Sequence, residues 1–346
     1  MRVLMETTHP KDVNILKNIV FELEKEGCEV LLAARDKEGV FEKLDDYGIN
    51  YVPGTNYKGF LNKVVHIPSV EYWLYKIAKK FKPDVIFGPS SLYAAHVSKA
   101  RSIPYLCFSD CEAEFDYTRH LTVPFVTKIF VPSGFRLDLG ERMEKFDGYL
   151  ELTYLHPKYF KPDRSVLDEL DVGADEPYIL LRISSLSGFH DVGVDHSPLK
   201  DIETIKEFVR GMERYCRVFI SGDNSVTDKF PQNKLEINPN KFLDLLAFSS
   251  LYVGDGISVA AEAALLGVPS IYLSDENRRW GFIKDLAEQN LVYLSNNGEE
   301  SREMAKMIIQ DKRIQRKWKE KSNHLVREKK DIVAFFVEKI RSCGEN

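Results

Sequence analysis

The chain has 346 residues, of which 44% are hydrophobic and 29% are charged, and its formal net charge is −5. This length predicts two domains of ordinary size, and no stretch approaches the twenty consecutive apolar residues of a transmembrane helix. The negative charge argues against nucleic acid as a partner. The amino-terminal stretch reaches Glu6 without the apolar core of a secretory signal, which predicts a cytoplasmic protein.

Short apolar runs alternate with amphipathic runs along the chain, a pattern typical of parallel sheets covered by helices on both faces. In the first half, the runs predict strands at 3–5, 29–34, 51–53, 84–88, 104–109 and 128–132, and helices at 12–26, 38–47, 68–81 and 91–101. In the second half, they predict strands at 177–183, 217–221, 251–255, 270–274 and 291–295, and helices at 201–214, 240–248 and 277–289, with further helices to the end. Each half therefore predicts a doubly wound α/β sheet.

A stretch rich in Pro, Asp and Gly, at 156–177, separates the two halves. We interpret it as a linker between two Rossmann-like domains, 1–155 and 178–328, that face a cleft. Ligands of such sheets bind outside the carboxyl ends of the strands. The loops that follow strands are therefore the candidate sites.

One such loop lies in VGDGISVAAEAALLGVP, at 253–269. Gly254 and Gly256 fall where a buried strand turns into a helix, and they permit a tight turn and close approach of a ligand. The free backbone amides near Ile257 and Ser258 carry a partial positive charge, which suits a diphosphate.

The same helix contains a single acid, Glu262, which does not lie at a capping-box position. It shares a helix side with Ser258, four residues earlier. A carboxylate there can accept hydrogen bonds from both hydroxyls of a ribose. The pattern predicts a nucleotide-sugar site, and the alternative is a solvent-facing glutamate that the helix dipole stabilises.

Other strand-end loops of the second half add candidates for the same site. Arg182 is suited to neutralising a phosphate and is followed by Ser184, whereas the alternative for Arg182 is a surface ion pair. Gly222 and Asp223 are placed to border the base or the ribose.

The whole chain resembles a family of mainly archaeal proteins of unassigned activity, described as predicted glycosyltransferases of the GT-B type. The stretches that carry the resemblance are 7–36, 154–163, 180–193, 219–224 and 253–269. The resemblance implies a GT-B fold, a nucleotide-sugar substrate, no separate cofactor and a carboxyl-terminal helix, within 329–346, that crosses back to the first domain. It also raises the interest of His190 and Asp191, in the loop after the strand at 177–183.

The second half is also similar to UDP-N-acetylglucosamine 2-epimerase and to the N-acetylglucosaminyltransferase of lipid II synthesis. In both, a glycine turn holds the nucleotide diphosphate and a Glu six residues later binds the ribose, and Gly256 and Glu262 match that spacing. The similarity implies a UDP-sugar donor and adds Ser274 and Asp275 to the site. The epimerase carries an acid in the loop after its fourth strand, where this chain has GPSS at 88–91.

This difference favours a glycosyltransferase, with an epimerase-like enzyme or a non-catalytic nucleotide-sugar-binding protein as the alternatives. An inverting transferase needs a base on its first domain. Strand-end loops there offer His9, Asp110 and Glu112, for which the alternatives are a backbone-bonded imidazole and an ordinary solvated loop. The metal-binding DxD motif is absent from strand ends, so we expect no essential metal.

Residues 57–82 interleave six lysines with aromatic side chains. This composition fits contact with a lipid-linked acceptor or with the inner face of an anionic membrane. The alternative is a long helix that buries its aromatic side and solvates its lysines. The acceptor is therefore expected to be a sugar or a lipid-linked molecule.

Overall fold

The computed structural model describes residues 1–37, 39–173, 175–183, 199, 201–274 and 280–344. The chain forms two units, Met1–Tyr159 together with Lys329–Asn346, and Phe160–Glu328. The predicted linker is divided between these units, since only its first four residues belong to the first.

The first unit contains a sheet of seven parallel strands: β1 (Arg2–Thr7), β2 (Glu29–Arg35), β3 (Tyr51–Gly54), β4 (Val85–Pro89), β5 (Tyr105–Phe108), β6 (Lys128–Pro132) and β7 (Met143–Phe146). Its first seven α-helices are α1 (Pro10–Lys25), α2 (Val40–Asp46), α3 (Phe60–Val65), α4 (Ile67–Phe81), α5 (Leu92–Arg101), α6 (Glu114–Thr122) and α7 (Leu152–Leu155), with a 3-10 turn at Val123–Phe125. The strand order is β3-β2-β1-β4-β5-β6-β7. The strand β7 and the helices α3, α6 and α7 are additions to the elements predicted from the sequence.

The second unit contains a parallel sheet of five strands: β8 (Tyr178–Ile183), β9 (Arg217–Gly222), β10 (Leu251–Gly254), β11 (Ser270–Leu273) and β12 (Tyr293–Ser295). Its described helices are α8 (Val166–Glu169), α9 (Ile202–Met212), α10 (Asn224–Thr227), α11 (Phe242–Phe248), α12 (Ile257–Leu265), α13 (Gly281–Glu288), α14 (Gly298–Gln310) and α15 (Lys312–Glu328), with a 3-10 turn at Pro239–Lys241. The strand order is β12-β11-β10-β8-β9.

The final helix, α16 (Ile332–Gly344), belongs to the first unit. Its Phe336 has no exposed surface and packs against rings from four strands of the first sheet. The ring centres lie 5.3–5.9 Å from that of Phe336, and the partners are Phe87, Phe108, Phe130 and Phe146. The first unit is thus completed by residues from the far end of the chain.

Each sheet has one point where the chain reverses its direction of winding. In the first unit this point lies between β1 and β4, and in the second it lies between β8 and β10. Open parallel sheets bind ligands beside such switch points, at the carboxyl ends of the strands. None of the described helices is long and apolar enough to cross a membrane.

Candidate ligand sites at the switch points of the two sheets

In the second unit, a glycine turn lies against the end of β8. A Cβ atom added to Gly254 would lie 2.4 Å from the carbonyl oxygen of Arg182, and one added to Gly256 would lie 3.3 Å from Cδ of Arg182. The hydroxyl of Tyr252 donates a hydrogen bond to the Gly256 carbonyl at 3.2 Å. Only glycine fits at position 254 without displacing backbone, and the Arg182 side chain packs beside Gly256.

Helix α12 starts directly after the turn, with Gly256 as its N-cap and without a hydrogen bond from a capping side chain. The first amides of the helix, including those of Ile257 and Ser258, thus form the positive end of a nine-residue helix beside an arginine. The helix packs closely on the sheet because its alanines are small and fully buried. These alanines are Ala260, Ala261, Ala263 and Ala264.

Glu262 is 7% exposed, so it does not face solvent. Burial raises the pKa of the neighbouring Tyr252 hydroxyl well above its ordinary value. Arg182 opposes that rise, whereas Asp255 and Glu262 add to it. One arginine and two carboxylates therefore act on the same hydroxyl at the β8–β10 switch point.

Three further predicted residues of this unit, all within its described part, lie at the same edge of the sheet. Gly222 has φ +137°, and a Cβ atom there would lie 1.9 Å from the Ile183 carbonyl oxygen. Asp223 is exposed and caps α10, accepting a hydrogen bond from the Ser225 amide at 2.8 Å. Ser274 is buried at the end of β11. The predicted site residues Ser184 and Asp275, together with His190 and Asp191, lie outside the described residues.

In the first unit, a cavity of about 390 Å³ lies at the carboxyl ends of β1 and β4. Its lining includes His9 and Asp12 from the start of α1, Ser90 from the loop after β4, and Glu114 from α6. Lys63 of α3 also lines it. The cavity thus carries acids, a cation and hydroxyl groups at the second switch point.

Beside this cavity, Lys11 joins two carboxylates from distant parts of the chain. Its Nζ lies 2.5 Å from Oδ2 of Asp110 and 3.0 Å from Oε1 of Glu151. Burial alone lowers the pKa of Lys11, but Asp110 and Glu151 outweigh burial and hold that pKa well above its ordinary value. Burial raises the pKa of Glu151, and Lys11 offsets part of the rise.

Two lining carboxyls have pKa values near neutrality. Burial raises the pKa of Asp12 to about 7, although Lys11 opposes the shift. Burial likewise raises the pKa of Glu114 to about 7, against a 2.9 Å hydrogen bond from the Ser109 hydroxyl, while the charge of Asp12 adds to the rise. Both groups therefore exchange protons around neutral pH.

His9 is the N-cap of α1. Its Nδ1 accepts a hydrogen bond from the Lys11 amide at 3.2 Å, and Oδ2 of Asp12 accepts one from the His9 amide at 3.3 Å. The two contacts form a capping box, and Pro10 occupies the first helical position. The imidazole is bonded to backbone, as the alternative interpretation of the sequence proposed, and it also lines the cavity.

Glu112 lies in the loop between β5 and α6, where its Oε1 accepts a hydrogen bond from the Arg136 amide at 3.0 Å. It holds the loop after β6 and is not among the residues that line the cavity.

A buried ion pair forms another wall of the cavity. Nη2 of Arg35 lies 2.9 Å from both Oε1 of Glu6 and the Thr8 hydroxyl, and the guanidinium carbon lies 4.5 Å from the Tyr93 ring centre. Nε of Arg35 is buried and has no hydrogen-bond partner among the described residues.

Sequence reasoning did not select Lys11, Asp12, Arg35 or Glu151. The stretch HPKD contains the one local signal for Asp12, because an acid three residues after a capping residue is typical of a capping box. Within the described parts of the chain, no group of three or more His, Cys, Asp or Glu side chains is placed to hold a metal ion.

Sequence comparisons place the chain in a family of unknown function. The profile of the family described as "Protein of unknown function (DUF354)" matches residues 1–341. An uncharacterized protein of Methanocaldococcus jannaschii, MJ0665, is 22% identical over 281 residues, which are 78% of this chain and 80% of that protein.

Two solved structures share the architecture. The first is UDP-GlcNAc 2-epimerase from Neisseria meningitidis, bound to UDP-GlcNAc. It is 13% identical to this chain with a TM-score of 0.67, and the alignment covers 99% of this chain and 99% of the epimerase. The second is a glycosyltransferase from Rickettsia africae, which is 16% identical with a TM-score of 0.64. The alignment covers 100% of this chain and 99% of the glycosyltransferase. The two-unit fold is therefore that of GT-B glycosyltransferases and related epimerases, and the family resemblance drawn from the sequence is confirmed.

Proposed function

The chain belongs to the DUF354 family, and we propose that it is a glycosyltransferase that moves a sugar from a UDP-sugar to an acceptor hydroxyl without an essential metal ion. The observation that carries the proposal is the uncapped start of α12, with Arg182 beside its glycine turn and Glu262 buried six residues later. Two solved proteins of this fold support it, since one is a UDP-GlcNAc 2-epimerase bound to UDP-GlcNAc and the other is a glycosyltransferase.

In this proposal the second unit binds the donor. The amides of Ile257 and Ser258 and the guanidinium of Arg182 hold the diphosphate, and Glu262 accepts hydrogen bonds from the ribose hydroxyls. Gly222, Asp223, Ser274 and the predicted Ser184 and Asp275 border the remainder of the nucleotide. The same amides and guanidinium stabilise the departing UDP, because they are already oriented towards the charge that develops on it.

The first unit supplies the base. A base that removes a proton from an acceptor hydroxyl works best with a pKa near the working pH. Glu114 meets this requirement and lines the cavity, because burial, with a smaller contribution from nearby Asp12, raises its pKa to about 7. We assign Glu114 as the base and place Asp110, Glu112 and His9, the bases predicted from the sequence, as groups that hold the surrounding loops through the contacts given above.

The donor site is tested by thermal unfolding of the full chain with millimolar UDP-sugars. A ligand present at a hundredfold excess over its dissociation constant stabilises a protein by about 2.7 kcal/mol. We expect an increase in Tm that persists in EDTA, and the absence of an increase with every nucleotide-sugar would refute the donor site.

The role of Glu262 is tested by Glu262→Gln, with Glu299→Gln as the matched control. Hydrogen bonds to charged groups contribute about 1.5–3 kcal/mol, so we expect a tenfold or greater loss of UDP-sugar affinity in the first variant, as measured by calorimetry. The control side chain is 82% exposed on the same unit and should leave the affinity unchanged. Equal affinities in the two variants would remove Glu262 from the site.

The second candidate is a UDP-GlcNAc 2-epimerase-like reaction. The cavity carboxyls with pKa values near 7 favour it, since such a reaction needs a base for the proton on C2 of the sugar. Incubation with UDP-GlcNAc alone, followed by NMR, separates the two candidates. The transferase proposal expects unchanged UDP-GlcNAc, whereas formation of the C2 epimer or release of UDP would support the second candidate.

A further inference from the structure

Exposed apolar side chains concentrate on one part of the first unit. Among the described residues, nine large hydrophobic side chains are exposed, and six of them lie on α3, α4 and α6. These six are Leu61, Val64, Val65, Tyr72, Tyr117 and Leu121. Such a concentration marks an interaction surface, whereas single exposed apolar residues are ordinary.

Helix α3 has the most exposed hydrophobic side chains of the three helices. All five of its residues from Leu61 to Val65 are exposed, with Leu61 at 77% and Val65 at 72%. The aromatic side chains emphasised by the sequence behave differently, because Trp73, Tyr75 and Phe81 are partly buried against the core of the first unit. The exposed surface is therefore aliphatic on α3, and the core of the unit does not use it.

The three helices belong to one region around the cavity. His96 of α5 joins α4 to α6, since its Nδ1 lies 2.5 Å from Oε1 of Glu71 and its Nε2 lies 3.0 Å from the Leu121 carbonyl oxygen. Lys63 of α3 and Thr118 of α6 both line the cavity at the β1–β4 switch point. We call this region, made of α3, α4 and α6, the apolar face.

The part of the apolar face formed by α3 and α4 is strongly basic, whereas α6 carries two acids and one arginine and the whole chain is acidic. Residues 57–82 contain six lysines and one acid, Glu71, which already pairs with His96, whereas the chain as a whole carries −5. Lys58 and Lys63 flank the exposed aliphatic residues of α3, and both are themselves exposed. Apolar side chains framed by lysines complement an anionic lipid surface, in which the former enter the headgroup boundary and the latter contact phosphates.

We propose that the apolar face docks on an anionic lipid bilayer. The proposal is independent of the sugar-transfer chemistry, and its charge argument commits it to membranes that carry anionic lipid.

The test is sedimentation of the full chain with vesicles of phosphatidylcholine, alone or mixed with phosphatidylglycerol. We expect binding to the mixed vesicles only, and weaker binding as salt screens the lysines. Each lysine near an anionic surface contributes on the order of fivefold in affinity, so K58A/K63A should weaken binding by more than tenfold.

The aliphatic contribution is tested with L61S/V65S, which alters exposed side chains only. We expect this variant to lose tenfold or more in vesicle affinity. The matched control is Tyr215→Ser with Met307→Ser, which removes two exposed hydrophobic side chains from the second unit and should bind as the wild type does. Circular dichroism and the UDP-sugar increase in Tm should be unchanged in both variants.

Absence of wild-type binding, equal binding to neutral vesicles, or wild-type binding by L61S/V65S would each overturn the docking proposal. If the UDP-sugar increase in Tm remains in those experiments, the proposed donor site stands by itself. Vesicle binding without any UDP-sugar effect on Tm would leave the docking proposal in place and refute the donor site.

Discussion

The candidate sites at the two switch points are formed by different parts of the chain: backbone in one unit and side chains in the other. In the second unit, the site consists largely of backbone: a turn that only glycine fits, a helix start without a capping side chain, and one arginine beside them. In the first unit, the site consists of partly buried side chains that hold one another in ion pairs and shift one another's pKa values. The ligand site of the first unit should therefore depend on pH and on charge pairing, whereas that of the second should depend on the shape of its backbone.

The largest loss in the free energy of unfolding is expected when Lys11 of the first unit is replaced. Lys11→Met leaves Asp110 and Glu151 without their shared cation, and breaking a buried ion pair costs about 3–5 kcal/mol. Denaturant unfolding should show a loss of this size, whereas Lys25→Met on the same helix, at a side chain that is 74% exposed, should show almost none. A loss below about 1 kcal/mol would mean that the network does not hold the site together.

The next largest loss of stability is expected from a substitution that disturbs the backbone of the second unit. In Gly254→Ala, the new methyl group meets the Arg182 carbonyl, which cannot yield as a flexible side chain does, so we expect a loss of about 3 kcal/mol and of the UDP-sugar effect on Tm. Gly211→Ala is the matched control within α9, where the nearest atom belongs to the side chain of Arg302. That control should gain about 0.5–1 kcal/mol from its helix position, and the same result from both variants would contradict the shape argument.

The pH dependence of the first site should be smaller but diagnostic. The folded-state pKa of Glu114, about 7, lies above its ordinary value, so the native state binds more protons than the unfolded state between about pH 4.5 and 7. The stability that Glu114 contributes is therefore present at low pH and lost as the pH rises through 7. Glu114→Gln removes this titration, and its free energy of unfolding should improve relative to wild type by on the order of 2 kcal/mol between pH 5 and pH 8.

A change at Glu114 that is the same at pH 5 and pH 8 would refute the raised pKa. Glu203→Gln provides the control, because that side chain is 75% exposed on α9 and should alter the stability little at either pH.

The sequence predicted most of the fold because the apolar runs of the strands are continuous and buried. It missed α6, where Phe115 and Thr122 are the only buried residues and the periodicity is therefore weak, and β7, an edge strand with one buried residue, Phe146. The positions of α3 and α7 were also missed, because the apolar residues of α3 face outward and α7 is a single turn of four residues, too short to show a helical period.

The two candidate sites also differ in how far local sequence predicts them. The glycine turn and Glu262 lie within one short stretch, so their spacing alone predicted where they fall on the strand and helix. Lys11, Asp110 and Glu151 are far apart in the chain. The β1–β4–β5 arrangement brings Lys11 and Asp110 together, and the packing of α7 on α1 adds Glu151. Their burial, which determines their pKa values, follows from packing and leaves no local pattern to read.

The carboxyl-terminal helix has a consequence for synthesis on the ribosome. Phe336 covers aromatic rings from four strands that emerge long before it does. Since domains begin to fold while the chain is still being synthesised, the second unit is expected to complete its sheet while that aromatic surface of the first is still uncovered. The earlier half of this protein would then be the later one to finish folding, and its exposed rings are where a nascent-chain chaperone would bind.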